Sequence, residues 1–135
     1  MQYIYNRIIY GDTKLITNVV LGIVKDIRPI VDEELCFDIR LILSELLINC
    51  HEHGNKYDKN KCIKLNISID RNSVNIEVED EGEGIKNFKK YDVKERRPDG
   101  RGLLIVKSLV DKIVIDKNMV KCNINLTSWF DKNSN

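Results

Sequence analysis

The residues best equipped for chemistry sit close together in one stretch, residues 41–55, LILSELLINCHEHGN. Glu45, Asn49 and His53 recur there at i, i+4 and i+8, a spacing that stacks side chains along one face of a helix. A carboxylate can hold or take up a proton, and an amide oxygen is a hard ligand of the kind magnesium prefers. Two glycine boxes follow. In Asp80-Glu81-Gly82-Glu83-Gly84-Ile85 a carboxylate precedes two positions without side chains, where a ligand can approach the backbone. The same segment also reads as a glycine-containing β-turn with a solvated aspartate. Asp99-Gly100-Arg101-Gly102-Leu103-Leu104 leads into an apolar helix, and free N–H groups at a helix N-terminus suit phosphate oxygens. Between the boxes, residues 86–99 carry six Lys or Arg (Lys86, Lys89, Lys90, Lys94, Arg96, Arg97) against three acids (Asp92, Glu95, Asp99). Such a loop is either a lid that closes over a triphosphate or a solvated surface segment.

The other reactive residue types offer less. His51 and His53 are at i, i+2, which points the rings apart on a helix, and the H-E-x-x-H spacing of a zinc site is missing. His53 is expected to be structural, at the helix end. No Ser/His/Asp or Cys/His arrangement for nucleophilic catalysis is apparent. Cys36, Cys50, Cys62 and Cys122 form no C-x-x-C pair and fall on apolar faces, as reduced core thiols of a cytoplasmic protein do.

The elements that must position these groups are legible in the hydrophobic pattern. Residues 3–10, aromatic and β-branched, predict a strand at a sheet edge. Gly11 and Asp12 break it, and a helix over 13–27 follows, with Ile16, Val20, Ile23 and Ile27 on one face and Arg28-Pro29 closing it. Asp32 caps the next helix, with Glu33 and Glu34 where the helix dipole favours anions. Its apolar stripe is Leu35, Ile39, Ile42, Leu43, Leu46, Leu47 and Cys50, and Gly54-Asn55 ends it. Ile63, Leu65, Ile67 and Ile69 alternate with polar residues, as do Val74, Ile76 and Val78. Continuing the second alternation by one step aims Asp80 inward, where a carboxylate needs a donor or water. A short helix over about 102–111, a strand from Ile113, a hairpin at Asp116-Lys117-Asn118 and a strand with Val120, Cys122, Ile124 and Leu126 inward complete the chain. Strands with one wet face predict a two-layer α+β sandwich, its sheet mixed but mostly antiparallel, with helices on the other face.

With 135 residues, 22 basic against 21 acidic and a net charge of +1, the chain is expected to be one domain, 1–135, with a core of its own. It has no global field to recruit nucleic acid or a membrane. No apolar run approaches about 18 residues, and the opening MQYIYNRIIY is not a signal peptide. Only the tail, 127–135, looks loose, though Trp129 and Phe130 could pin it.

The order of these motifs carries a resemblance. An E-x-x-x-N helix (Glu45, Asn49, then His53-Gly54), a D-x-G-x-G loop after a strand (Asp80, Gly82, Gly84) and a G-x-G box at a helix (Gly100, Gly102) resemble the GHKL, histidine-kinase-like ATPase superfamily. The small form seen here is similar to the anti-sigma-factor serine/threonine kinases, over nearly the whole chain. The resemblance implies ATP and Mg²⁺ as cofactors, a sigma factor and an antagonist protein as partners, and a possible homodimer. It implies Asn49 as the magnesium ligand and Glu45 as the general base toward a serine hydroxyl. Asp80 would accept from the adenine amine with Gly82 and Gly84 leaving room for the ring, and Gly100 and Gly102 would present N–H groups to the phosphates. Arg101 is either a further phosphate ligand or solvent-facing.

The chain departs from that pattern at two places. Glu95-Arg96-Arg97-Pro98 stands where these kinases commonly have Thr-Thr-Lys, and Lys121-Cys122 where they usually have Gly-Thr; a thiol is a poor substitute for a hydroxyl. The leading expectation is therefore an anti-sigma kinase, followed by a partner-binding module of the same fold with weak or no turnover. A histidine-kinase catalytic domain comes third, because the N-terminal strand and helix leave no room for a phospho-acceptor hairpin.

Overall fold

The first two helices each begin where a side chain caps them. In the computed structural model, which describes residues 2–83 and 98–127 (of 98–101 the helical backbone alone), Asp12 accepts from the Leu15 N–H at 3.1 Å and opens α1, Thr13–Ile27. Asp32 accepts from the Leu35 N–H at 2.8 Å and opens α2, Glu33–Asn49. Both caps satisfy a donor that the first turn leaves unpaired. The strands are β1 (Tyr3–Tyr10), β2 (Cys62–Ile69), β3 (Ser73–Glu79), β4 (Lys112–Asp116) and β5 (Met119–Asn125), with α3 (Pro98–Leu109) between β3 and β4.

The five strands form one sheet in the order β1-β2-β3-β5-β4, and all four pairings are antiparallel. The expected mixed sheet is therefore antiparallel throughout, as an α+β layer with short β2–β3 and β4–β5 turns permits. β1 is an edge strand. One sheet face carries Ile63, Leu65, Ile67, Ile69, Val74, Ile76, Val78, Val120, Cys122 and Ile124, all buried under the helices. The other face is polar along β2, β3 and β5, with Asn123 donating to Asn75 at 2.9 Å, and exposes Ile4, Ile8, Tyr10 and Val114 on the outer strands.

α2 lies between α1 and α3 and touches both. The whole predicted apolar stripe of α2 is buried. At about 1.5–3 kcal/mol for each large aliphatic side chain, before discounting for a compact unfolded state, that burial fixes α2 more firmly than propensity does. Cys36, Cys50 and Cys122 are buried free thiols, and Cys62 is half-buried. Burial pushes the Cys122 thiol up to about 12. No helix among the described residues is long and apolar enough to cross a membrane.

Two boundaries differ from the sequence pattern. The α-helical part of α2 stops at Asn49, and residues Cys50–Gly54 form a π-helical turn in which the Asn55 N–H reaches the Cys50 carbonyl at 2.7 Å. α3 begins at Pro98, four residues before the expected start. Proline suits a first helical position, where its missing N–H costs nothing.

Candidate functional site

The candidate residues gather in two groups along the C-terminal half of α2 and its π turn. The first group is Glu45, Asn49 and Gly102. Glu45 and Asn49, one turn apart, are half-buried. α3 crosses them so closely that a Cβ on Gly102 would lie 2.7 Å from Glu45 Oε2 and 3.0 Å from Asn49 Nδ2. Only glycine leaves that space open. Asn49 Nδ2 is buried and has no hydrogen-bond partner among the described residues, although buried polar groups nearly always have one.

Gly100 and Gly102 are not equivalent. Gly100 lies in the first turn of α3, where N–H groups have no partner inside the helix, and Gly102 lies beyond it, within the hydrogen-bonded ladder. The early start of α3 thus turns Gly102 from a candidate N–H donor into a point of close approach. Gly84, the basic segment 86–97 and the side chain of Arg101 lie outside the described residues, as do Trp129 and Phe130.

The second group forms around Asp80, immediately past β3. Its Oδ1 accepts from the Gly82 N–H at 2.8 Å. The Cα of Gly54 faces the carboxylate, so that a Cβ there would fall 2.0 Å from Asp80 Oδ2. Burial raises the Asp80 carboxyl above its usual range, against the donors Gly82 N–H and Cys50 Sγ–H that lower it. Burial, reinforced by the Asp80 carboxylate, raises the Cys50 thiol in turn. Asp80 is thus an acceptor at the edge of the core, beneath the π turn. Gly54 lies nine positions after Glu45, about 13 Å along a helix at 1.5 Å per residue.

The π turn also corrects the reading of the histidines. One extra residue per turn rotates everything after Asn49, so the stripe Glu45–Asn49 does not continue to His53, which is exposed. His51 is the buried one, packed edge-on against Tyr57 with ring centroids 5.4 Å apart. Among the described residues no three His, Cys, Asp or Glu side chains gather as a metal cluster.

The strand register corrects the place given to Cys122. It pairs with Ile76, whereas Glu79 pairs with Met119. The residue facing Asp80 is Asn118, whose carbonyl accepts the Asp80 N–H at 3.1 Å and whose Nδ2 donates back to the Asp80 carbonyl.

Sequence reasoning missed Asn55. It is 1% exposed, and its side chain bridges the Glu81 N–H (2.8 Å) and the Cys62 carbonyl (3.0 Å). Asparagine after glycine reads locally as a helix stop, and nothing in the spacing signals partners 7 and 26 residues away. A surface depression of about 390 Å³ opens on the outer face of the sheet, where Ile4 and Val114 join Asn6, Asn66, Asn75 and Asn123. It contains none of the candidate residues.

The profile of the histidine kinase-like ATPase domain matches residues 16–127, a span that takes in all but the first three residues of α1, then α2, the Asp80 turn and both later strands. The anti-sigma F factor of Geobacillus thermodenitrificans is 28% identical over 108 residues, covering 76% of this chain and 73% of that protein. The anti-sigma F factor of Clostridium botulinum is 26% identical over 108 residues, covering 76% and 74%. Among solved structures, the histidine kinase domain from the Erythrobacter litoralis EL346 blue-light activated histidine kinase superposes with a TM-score of 0.56 at 20% identity. That match covers 84% of this chain and 62% of the other, and at this identity it speaks to the fold alone.

Proposed function

The chain belongs to the histidine kinase-like ATPase domain family, and from that premise we propose that it is an ATP-binding anti-sigma regulatory factor. In this reading it sequesters a sigma factor and phosphorylates a serine of an antagonist protein. Nucleotide binding is the family's common property; ATP, Mg²⁺, serine specificity and both partners are our assignment. The relatives named anti-sigma F factor support the partner class.

The observation that carries the proposal is the contact between Glu45, Asn49 and Gly102, with Asp80 at the far end of the same helical segment. The residues fit a magnesium-bound nucleotide. Asn49 has an amide whose buried nitrogen lacks a partner among the described residues, and Gly102 keeps the space beside it free of side chain. Asn49 Oδ1 would hold the metal, which when bound neutralises phosphate charge and orients the chain of phosphates. Glu45, one turn earlier, would orient the incoming serine hydroxyl and take up its proton. Asp80 would accept from the exocyclic amine of adenine, with the bare backbone at Gly82 beside it. Gly100 and Arg101 would meet the phosphates.

Calorimetric titration with ATP–Mg²⁺ tests the site: wild type should bind, and Asn49→Ala should weaken binding at least about tenfold, the loss of one charge-assisted contact. Radiolabelled phosphate transfer to candidate antagonist proteins tests the reaction, and it should vanish in Glu45→Ala. A second reading, a partner-binding module without turnover, draws on the residue that faces Asp80, which is Asn118 and carries no hydroxyl. Tight ATP binding with no transfer to any antagonist would favour it.

A further inference from the structure

The β2–β3 ladder ends in an unusual way. Its last paired residues are Lys64 and Glu79, and the same register would bring Ile63 opposite Asp80 and then Cys62 opposite Glu81. Instead, the side-chain amide of Asn55 is spliced between them. Asn55 Oδ1 accepts the Glu81 N–H and Asn55 Nδ2 donates to the Cys62 carbonyl, so one side chain stands in for a peptide group of the ladder. The Cys62 N–H is taken by the Glu81 carboxylate. The strands part at this point, and the opening is a depression of about 250 Å³ lined by Cys62, Lys64, Glu79, Asp80, Glu81 and Asn118.

The splice grips the residue between Asp80 and Gly82, whose carboxylate and N–H make the turn that orients the Asp80 side chain. Asn55 is itself tied to the π turn through its N–H on the Cys50 carbonyl, and Cys50 Sγ–H donates to Asp80. From the opposite side, Asn118 holds the Asp80 backbone by both its N–H and its carbonyl. A Cβ on Gly82 would lie 2.3 Å from the Gly54 carbonyl, so the turn has little room to settle elsewhere. Buried polar side chains used this fully specify one geometry.

We infer that Asn55, with Asn118 as the opposing grip, is a positioning residue that sets the Asp80 carboxylate for recognition of an amine-bearing purine. This rests on the nucleotide reading of the site. Asn55 touches no base itself; it acts through the Glu81 amide. Removing the splice lets the turn rotate about Asp80, and a displacement near 1 Å is enough to spoil such a contact.

The test is equilibrium binding of ATP–Mg²⁺ and ITP–Mg²⁺, the second carrying a carbonyl where adenine has its amine, to wild type, Asp80→Asn, Asn55→Ser and Asn118→Ala. Wild type should prefer ATP. Asn55→Ser should lose about tenfold in ATP affinity, the scale of one hydrogen bond, while ITP affinity barely changes. A purely structural role would weaken both nucleotides alike. Circular dichroism establishes that each variant folds; should Asn55→Ser fail to, Asn118→Ala, at a half-buried turn, decides by the same ratio. A wild type that prefers ATP beside variants that keep that preference, or lose both affinities equally, overturns the clamp alone. A wild type that binds the two nucleotides equally, with Asp80→Asn indifferent, overturns the base-reading site and the clamp with it.

Discussion

Glu45 and Gly102 approach one another so closely that a Cβ on the glycine would lie 2.7 Å from Glu45 Oε2. The contact joins α2 to α3 at the point where the reacting groups of the proposed site stand. Gly102→Ala should therefore displace the Glu45 and Asn49 side chains rather than the backbone. ATP–Mg²⁺ affinity should fall about tenfold or more, with unfolding free energy changed by less than about 1 kcal/mol. Gly22→Ala is the control: it meets nothing within 4 Å, and it should stabilise α1 by roughly 0.5–1 kcal/mol without touching affinity. Calorimetry beside urea melts measures both.

Asp80 should trade stability against binding. Its carboxyl is raised above 3.8 by burial, so protonation favours the folded state. The stability it contributes is fully present below the unfolded carboxyl's pKa and is lost as pH rises through the higher folded value. Asp80→Asn should consequently melt above wild type at neutral pH, and the gap should close as pH falls toward about 3.5. At neutral pH the same variant should bind ATP–Mg²⁺ more weakly. Thermal melts from acid to neutral pH check the first half and calorimetry the second; a gap that widens on acidification would count against the buried carboxylate.

Gly54 and Gly82 should fail differently when given a methyl group. At Gly82 the new Cβ meets backbone, the Gly54 carbonyl at 2.3 Å, which cannot swing aside. Gly82→Ala should cost about 2 kcal/mol or more. At Gly54 the obstacle is the Asp80 carboxylate at 2.0 Å, which can rotate and give up the Gly82 N–H. Gly54→Ala should cost about 1 kcal/mol, one hydrogen bond, and most of the ATP affinity. Denaturant midpoints and titrations separate the two patterns.

Cys122→Thr restores the residue type usual for the resembled kinases, yet it should not improve nucleotide binding. Position 122 is 3% exposed and pairs with Ile76, away from Asp80. A hydroxyl buried there without a partner should cost about 1–3 kcal/mol. A gain in ATP affinity would mean that β5 is placed in the wrong register.

The sequence by itself determined the elements and their inward faces. Asp12 and Asp32 cap the helices they precede, the stripe from Leu35 to Cys50 is buried, and every predicted inward strand residue from Ile63 to Ile124 lies in the core. These features follow from local periodicity and capping, which a chain carries in its own spacing. Glu45 and Asn49 could be singled out as polar residues stacked at i, i+4 on one helix face, and Asp80 as the polar residue that ends an apolar alternation. Tertiary structure decided how they meet. The π turn after Asn49 swings His51 into the core and His53 out of the stripe, and the start of α3 at Pro98 brings Gly102 against Glu45. Asn55 replaces a rung of the β2–β3 ladder, and Asn118, not Cys122, faces Asp80. Each of these turns on one extra residue in a helix or on the register of distant strands. Such choices are settled by which packing leaves the fewest buried polar groups unpaired, a property of the assembled chain and of no single segment.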